Sequence, residues 1–225
     1  LKRERKAERP IRCVFLGRLV PYKGPDMLLE AAAPLLRRGD ITLRYIGDGP
    51  LMSMLRQQVH EQRIPGVEFL GWVDHQQVQQ RLVEADLLTF PSIREFGGGV
   101  VLEAMALGLP PLIVDYGGPA ELVTPDTGFT VPLSSREKIV AALRDRLERL
   151  AADPAEIDRV SATAHDHAIT QFTWPAKAKQ VAEQYHGIAG APRGDTSSTR
   201  CDPRACESPQ FSNATVQPAE AGAPS

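Results

Sequence analysis

Short apolar runs alternate with segments of helical spacing along most of the chain. Six runs bounded by glycine or polar residues predict buried strands: residues 11–16, 41–46, 67–70, 86–90, 111–114 and 129–131. Apolar side chains at three- and four-residue spacing predict helices at 24–36, 50–62, 75–84, 99–107, from 119, and at 135–151, 154–171 and 175–187. Strands joined by crossover helices predict an α/β fold, a Rossmann-like three-layer domain with a parallel sheet and helices on both faces.

The composition divides the chain into three parts. Residues 1–9 carry charges of both signs and predict a linker. Residues 190–225 are rich in Pro, Ser, Ala and Gly, and cannot bury enough apolar surface to offset the entropy of ordering, so they predict a disordered tail. The remaining 10–189 form the predicted folded domain.

Ligands of such α/β folds bind outside the carboxyl ends of the strands, where we expect the functional residues.

Charge and cysteine usage exclude several classes of protein. The 225 residues include 26 basic and 28 acidic side chains, a balance that argues against binding nucleic acid through its phosphates. No apolar run approaches the roughly 20 residues of a membrane-spanning helix. Two of the three cysteines, Cys201 and Cys206, lie in the predicted tail. This pattern favours a reducing, cytoplasmic compartment over a disulfide framework.

The stretch that follows the fourth predicted strand carries the most informative chemistry. The glycines Gly97 to Gly99 stand where a helix is predicted to begin, and free N–H groups there favour an anion, although a flexible turn explains the glycines alone. Glu103 is the only charge on that helix, which we expect to be the most buried in the chain. A carboxylate there indicates a bound polar ligand or a structural salt bridge. Glu95 lies eight residues earlier, so both carboxylates can flank one ligand.

Two cations follow the first predicted strand. Arg18 and Lys23 stand on a loop shaped by glycine and proline. Such a pair suits a diphosphate, because arginine offers a fork of donors and lysine a point charge. Either cation taken alone is better explained as a solvated surface residue. Together with the glycine loop and its carboxylates, they favour a diphosphate site.

Five short strings occur in a fixed order along residues 10–187. They are G-R-L-V-P-Y-K-G at 17–24, Y-I-G-D-G-P-L at 45–51, F-L-G at 69–71, E-F-G-G-G-V-V-L-E-A-M-A at 95–106 and G-G-P-A-E at 117–121. In this order they resemble the carboxyl-terminal, donor-binding half of a family 4 (group 1) glycosyltransferase with the GT-B fold. The E-x7-E pair is the most specific element. One position departs from the family, because the usual E-G-F-G is E-F-G-G here.

The resemblance implies a role for each matching residue. Arg18 and Lys23 would grip the donor diphosphate, and Glu95 would lie beside the transferred sugar, which makes these three the predicted catalytic residues. Glu103 would accept hydrogen bonds from the ribose hydroxyls. The other predicted donor contacts are the loop that holds sugar and phosphate (Phe96, Gly97, Gly98 and Val101), the edge beside the base (Phe69 and Leu70), and two glycines that permit close approach (Gly17 and Gly47).

The resemblance also implies a reaction. Similar proteins transfer sugar from a nucleotide donor, here a UDP- or GDP-sugar, with retention of anomeric configuration. Cations and a helix dipole stabilise the leaving diphosphate, and without a D-x-D motif we expect neither metal nor cofactor. GT-B enzymes bind the acceptor, which can be membrane-associated, on a separate amino-terminal domain. Only about ten residues precede the first strand, so we expect a donor domain without its acceptor domain, inactive by itself.

Two other functions remain compatible with these residues. One is a non-catalytic nucleotide or nucleotide-sugar binding module that works with a partner chain. The other is a GT-B epimerase or phosphorylase. Elsewhere, His165 and His167 are expected to lie on a solvated helix surface rather than bind metal, and Trp174 with Phe172 is expected to anchor the last helix to the core.

Overall fold

The computed structural model describes residues 10–190, and the predicted linker 1–9 and tail beyond Gly190 lie outside these described residues. The strands are β1 (Ile11–Leu16), β2 (Ile41–Ile46), β3 (Val67–Gly71), β4 (Leu87–Phe90), β5 (Pro111–Asp115) and β6 (Phe129–Pro132). The helices are α1 (Pro25–Arg38), α2 (Met52–Glu61), α3 (His75–Glu84), α4 (Gly99–Ala106), α5 (Gly117–Leu122), α6 (Arg136–Ala152), α7 (Ala155–Phe172) and α8 (Trp174–Gly190), with a 3-10 turn at Pro21–Lys23. Every predicted strand and helix is present, with bounds that differ by a few residues.

The chain divides into two units. The first, Leu1–Ala182, contains the sheet and all the residues discussed below. Of the second, Glu183–Ser225, the structure describes only the carboxyl-terminal part of α8.

All six strands pair in parallel in the order β3-β2-β1-β4-β5-β6. The chain winds outward from β1 to β3, returns to place β4 beside β1, and then winds outward on the other side. Strand order therefore reverses between β1 and β4. In parallel sheets of this kind, a crevice opens outside the carboxyl ends of the two strands where the order reverses. The predicted α/β fold is confirmed, and it places the candidate site beyond Leu16 and Phe90.

The sheet separates two hydrophobic layers. On one face, Phe15, Tyr45 and Phe129 pack with the buried side chains of α1 and α6. On the other face, Val14, Leu88 and other strand residues pack with those of α3, α4 and α7. Burial of both faces explains why the central strands β4 and β5 are nearly continuous apolar runs, whereas β2 and β6, nearer the sheet edges, alternate apolar with polar residues.

α7 holds the carboxyl-terminal end of α4. The Nδ1 atom of His165 lies 2.7 Å from the carbonyl oxygen of Ala106, and the hydroxyl of Ser161 donates to the carbonyl of Gly108 at 2.6 Å. His167 makes an edge contact with Phe172. The prediction that both histidines are simply solvated is therefore wrong. The contacts of His165 and Ser161 give partners to carbonyl groups at and just beyond the end of α4, which the helix itself leaves unpaired, and they fix α4 against α7.

Exposure corrects two predictions about packing. Phe172 packs against the α4 layer, but the Trp174 side chain is 89% exposed and does not anchor the last helix. The apolar spacing within 75–84 predicts that Val78, Leu82 and Val83 face inward on α3. Val78 and Leu82 are buried, but Val83 is 44% exposed. Helical spacing alone does not locate the edge of the buried face.

Residues 10–190 offer little for other kinds of chemistry. None of their helices combines the length and apolarity needed to cross a membrane. Within the same residues, no three side chains of His, Cys, Asp or Glu cluster in a way that could hold a metal ion. Burial, reinforced by the nearby Asp86 carboxylate, raises the pKa of the Cys13 thiol far above its usual range, so this thiol stays protonated and unreactive.

Candidate functional site

The loops that follow β1 and β4 meet at the crevice. The backbone N–H of Ile93 donates to the carbonyl of Tyr22 at 2.9 Å, and the Ser92 hydroxyl lies 3.4 Å from the same oxygen. Gly24 adopts a left-handed conformation, and a Cβ atom there would lie 2.7 Å from the carbonyl oxygen of Pro91. Backbone contacts therefore set the relative position of the two loops that carry the predicted cations and glycines.

Close backbone packing also joins the loops after β1 and β2. The N–H of Gly17 donates to the carbonyl of Ile46 at 3.0 Å, and that of Leu19 to the carbonyl of Asp48 at 2.9 Å. A Cβ atom on Gly47 would overlap the carbonyl oxygen of Gly17. Position 47 therefore requires glycine because of a contact within the protein. The sequence had suggested a different reason, the close approach of a nucleotide.

Lys23 and Glu95 form a direct ion pair. The Nζ atom of Lys23 lies 2.5 Å from Oε2 of Glu95, and the two side chains are only 18% and 20% exposed. The same ammonium lies 4.9 Å from the centre of the Phe90 ring. The structure therefore brings two predicted catalytic residues together across the crevice, from loops 72 residues apart in sequence.

Arg18 is placed differently from Lys23. It is exposed, and no other side chain among residues 10–190 pairs with it. It lines a pocket of about 440 Å³ at the carboxyl ends of β1 and β2. A guanidinium with five free donors beside a pocket is well placed to meet an anionic ligand.

The sequence reasoning missed the wall of this pocket formed after β3. Trp72, which is 79% exposed, and Val73 line it together with Asp48 and Val78. Trp72 directly follows the F-L-G string, and the available signal was a large aromatic residue just beyond the end of a predicted strand. Phe69 instead stacks on Tyr45 at 5.0 Å in the α1 layer, and Leu70 packs against the hydrophobic layer on the other face of the sheet. Any contact of these two residues with a base would therefore involve their backbone.

The burial predicted for α4 is wrong. α4 buries only Val101, Ala104 and Met105, whereas α1 buries nine of its residues. Glu103 is exposed, and no side chain among residues 10–190 pairs with it. The carboxylate is therefore solvated, because it stands on the face of α4 that points away from the sheet, and it is available to a ligand without loss of a structural salt bridge.

The start of α4 presents backbone rather than side chains. Gly97 and Gly99 are exposed, and a Cβ atom on either would meet nothing within 4 Å. Gly98 is buried in a left-handed conformation that begins the helix. Val101 is fully buried and its N–H donates to the carbonyl of Gly98 at 2.8 Å, so neither its side chain nor its N–H is offered to a ligand. Val101 therefore does not fit its predicted role as a donor contact.

The first residues of α5 support the loop from Glu95 to Gly98. A Cβ atom on Gly117 would lie 2.5 Å from the carbonyl oxygen of Glu95, and one on Gly118 would overlap that of Phe96. The Phe96 side chain is 98% exposed on the outside of this loop. The G-G-P string thus has a structural reason, since only glycine lets the loop backbone pack on α5.

The candidate site has three observed parts. Lys23 pairs with Glu95 at the crevice, and Arg18 lines the neighbouring pocket at the carboxyl ends of β1 and β2. α4 begins in glycine with a partial positive charge, and Glu103 lies exposed one turn further along that helix. Such an arrangement can bind a group of two or more negative charges beside a polar, hydroxyl-bearing one.

Curated relatives match most of this chain. A GDP-mannose-dependent monoacylated alpha-(1-6)-phosphatidylinositol monomannoside mannosyltransferase of Corynebacterium glutamicum is 33% identical over 167 residues, 70% of this chain and 42% of the relative. A D-inositol 3-phosphate glycosyltransferase of Corynebacterium aurimucosum is 34% identical over 182 residues, 76% of this chain and 42% of the relative. The chain thus spans less than half the length of these two proteins.

Solved structures share the fold. HepE of Anabaena in complex with UDP-glucose is 26% identical with a TM-score of 0.64, over 79% of this chain and 49% of that one. Sucrose-phosphate synthase of Thermosynechococcus elongatus is 27% identical with a TM-score of 0.64, over 83% of this chain and 47% of that one. The six-stranded parallel sheet matches the carboxyl-terminal Rossmann-like domains of GT-B glycosyltransferases.

Sequence and fold lead to the same family. The family model described as glycosyl transferases group 1 matches residues 1–159, which include β1 to β6 and every residue of the crevice. Because this match covers more than half of the sequence, the chain belongs to the group 1 glycosyl transferases.

Proposed function

We propose that this chain is the donor-binding half of a retaining, family 4 glycosyltransferase, and that its crevice binds a nucleotide-diphospho-sugar. The observation that carries the proposal is the meeting of Lys23 and Glu95 at the sheet position where strand order reverses, beside the glycine start of α4. The choice of ligand is supported by the mannosyltransferase relative, which is named for its dependence on GDP-mannose, and by a similar structure that holds UDP-glucose.

The diphosphate lies between two sources of positive potential. Arg18 and Lys23 stand on the loop after β1, and the first turn of α4 directs N–H groups without intrahelical partners at the crevice. As the bond between sugar and phosphate breaks, negative charge grows on the leaving diphosphate. Fixed cations and a helix dipole stabilise that charge without a metal ion, which is the electrostatic part of the proposed catalysis.

The two carboxylates have separate roles in this proposal. Glu95 stands at the mouth of the glycine loop and faces the sugar, which gains positive charge in the transition state. Glu103 is exposed on the outer face of α4 and accepts hydrogen bonds from the ribose hydroxyls. Phe96 to Gly98 supply backbone contacts to sugar and phosphate, in a loop held by α5.

The base is assigned to the pocket beside Arg18. Its walls are Gly17, Gly47 and the residues that follow β3, and its volume of about 440 Å³ accommodates a nucleobase. The side chains around it are mostly apolar, so stacking and backbone hydrogen bonds hold the base. Both UDP- and GDP-sugars fit this description.

Transfer itself belongs to a larger protein in this proposal. The relatives are more than twice as long as the part that matches, and GT-B enzymes bind the acceptor on an amino-terminal domain. That domain is the proposed partner of the crevice, and a lipid-linked acceptor is supported by a relative named for phosphatidylinositol monomannoside. By itself the chain is proposed to bind the donor and to be inactive. The folded domain of 10–189, the disordered tail and a cytoplasmic location stay predictions.

Calorimetric titration of the purified chain with UDP, GDP, ADP and their sugar conjugates tests the proposal. At least one nucleoside diphosphate is expected to bind with micromolar affinity, and its sugar conjugate to bind more tightly. Absence of binding by every nucleotide would rule out the donor site. Equal affinity for a nucleoside diphosphate and its sugar conjugate would favour the alternative, a non-catalytic nucleotide-binding module that works with a partner chain.

Replacing Arg18 isolates the contribution of one cation. Since Arg18 has no partner side chain among residues 10–190, Arg18→Ala removes a cation without leaving a charge unpaired. We expect nucleoside diphosphate binding to weaken by about 1.5–3 kcal/mol, the scale of charge-assisted hydrogen bonds. Binding of the nucleoside without phosphates is expected to change little. Equal loss for both ligands in calorimetry would contradict the diphosphate contact.

Replacing Glu103 tests the ribose contact. Glu103→Gln keeps the shape but removes the charge, and is expected to weaken nucleoside and nucleoside diphosphate alike, by about 1–3 kcal/mol. Because the carboxylate is exposed, the free energy of unfolding of the domain is expected to stay within about 0.5 kcal/mol. Unchanged affinity for both ligands would remove Glu103 from the site.

A further inference from the structure

The pairing of Lys23 with Glu95 has a consequence for how a donor enters the crevice. An ammonium 2.5 Å from one carboxylate oxygen, with both side chains about four-fifths buried, is neutralised by that carboxylate. The lysine stem is confined as well, since its Cδ atom lies 3.6 Å from the position of a Cβ on Gly17, and its Nζ lies over the Phe90 ring. A phosphate that approaches Lys23 therefore meets the negative charge of Glu95 at the same place.

We propose that Glu95 and the donor diphosphate compete for Lys23, so that binding of the diphosphate breaks the ion pair and releases the Glu95 carboxylate towards the sugar. This inference rests on the proposed function of the crevice. In this exchange, Glu95 lowers the affinity of the crevice for phosphates that bear no sugar, in addition to its proposed contact with the transferred sugar.

The backbone allows this exchange without movement of the loop. Gly117 packs against the carbonyl of Glu95 and Gly118 against that of Phe96, so α5 holds the loop in place. Rotation of the glutamate side chain alone separates the charges. A phosphate then binds the Lys23 ammonium through charge-assisted hydrogen bonds. The freed Glu95 carboxylate gains a new partner only when the diphosphate carries a sugar with hydroxyl groups. Competition therefore favours the complete donor over the bare diphosphate.

A double-mutant cycle tests the exchange. Glu95→Gln removes the competing charge, and is expected to tighten binding of inorganic pyrophosphate, UDP and GDP by about three- to tenfold, the scale of a partly buried ion pair. The gain in affinity that a sugar conjugate shows over its nucleoside diphosphate is expected to shrink. In a Lys23→Met background the same Glu95→Gln change is expected to leave pyrophosphate affinity within about 1.5-fold, because no lysine remains to be freed.

Two controls separate exchange from simpler explanations. Glu121→Gln removes an exposed carboxylate on α5, with the same change in net charge, and is expected to alter pyrophosphate affinity by less than about 1.5-fold. Thermal denaturation of each variant establishes that the domain is folded. If Glu95→Gln raised pyrophosphate affinity equally with and without Lys23, the effect would be through-space repulsion and the exchange would be overturned. Unchanged or weaker pyrophosphate binding by Glu95→Gln in the wild-type background would also overturn it. Failure of the wild-type chain to bind any nucleotide would instead refute the proposed function.

Discussion

Gly118→Ala is expected to displace the donor loop and to weaken nucleotide-sugar binding at least tenfold. A Cβ atom at this position would overlap the carbonyl oxygen of Phe96 and lie 2.8 Å from its carbonyl carbon. Backbone atoms cannot rotate away as a flexible side chain can, so the whole segment from Glu95 to Gly98 must shift. We expect the free energy of unfolding to fall by about 2–3 kcal/mol, as for other overpacked sites. Calorimetry and chemical denaturation measure the two effects.

Gly97→Ala is the matched control for stability. It adds the same methyl group to the facing loop, where the new atom would meet nothing within 4 Å. We expect its unfolding free energy to stay within about 1 kcal/mol of the wild type. Gly118→Ala protein with unaltered donor affinity would show that the loop tolerates displacement, and would remove the argument that α5 positions the site.

Gly47→Ala is expected to destabilise the folded domain by about 3–5 kcal/mol, near the upper end for single substitutions. Two costs add at this residue. Its φ angle of +130° is one that side-chain-bearing residues rarely adopt, and its Cβ would overlap the carbonyl of Gly17. Gly17 is the first residue beyond β1, so relief of the overlap must separate the loops after β1 and β2 and open the pocket beside Arg18.

Gly39→Ala separates these two costs. Gly39 also has a positive φ angle, +78°, but a Cβ there would meet nothing within 4 Å. Its substitution is expected to cost only about 1–2 kcal/mol, the backbone term alone. Chemical denaturation of the two variants compares them directly. Equal losses for Gly39→Ala and Gly47→Ala would mean that the contact between the loops contributes nothing to stability.

Local pattern was sufficient to predict the strands and helices and the edge of the sheet where the candidate site lies. Runs rich in apolar residues placed β1 and β2 at the observed residues, because side chains that face a covered layer must be apolar, although Arg12 and Arg44 interrupt the two runs. The alternation of strands and helices required parallel pairing, and parallel pairing places the loops after β1 and β4 at one edge. The sequence therefore predicts Arg18, Lys23 and Glu95 at one crevice, and the structure brings Lys23 and Glu95 together there.

Exposure and partnership depended on the packing of whole elements. Glu103 was expected to be buried because its neighbours in sequence are apolar, but it lies on the exposed face of α4, away from the buried Val101, Ala104 and Met105. His165 was expected to face solvent, but the packing of α7 on α4 places its ring beside the carbonyl group of Ala106, as it places Ser161 beside that of Gly108. The local sequence pattern does not predict either orientation, because each depends on which helix packs beside α4 or α7.

The sequence by itself determined which groups this protein could use: the cations, carboxylates and glycines of the crevice, and the strands that end beside them. Only the tertiary structure decided how those groups are matched. It paired Lys23 with Glu95, left Arg18 and Glu103 without partner side chains among residues 10–190, and required glycine at 47 and 118 for backbone contact. The physical reason is that composition and spacing act along the chain, whereas ion pairs and steric exclusion depend on distances between segments that are brought together only by the fold.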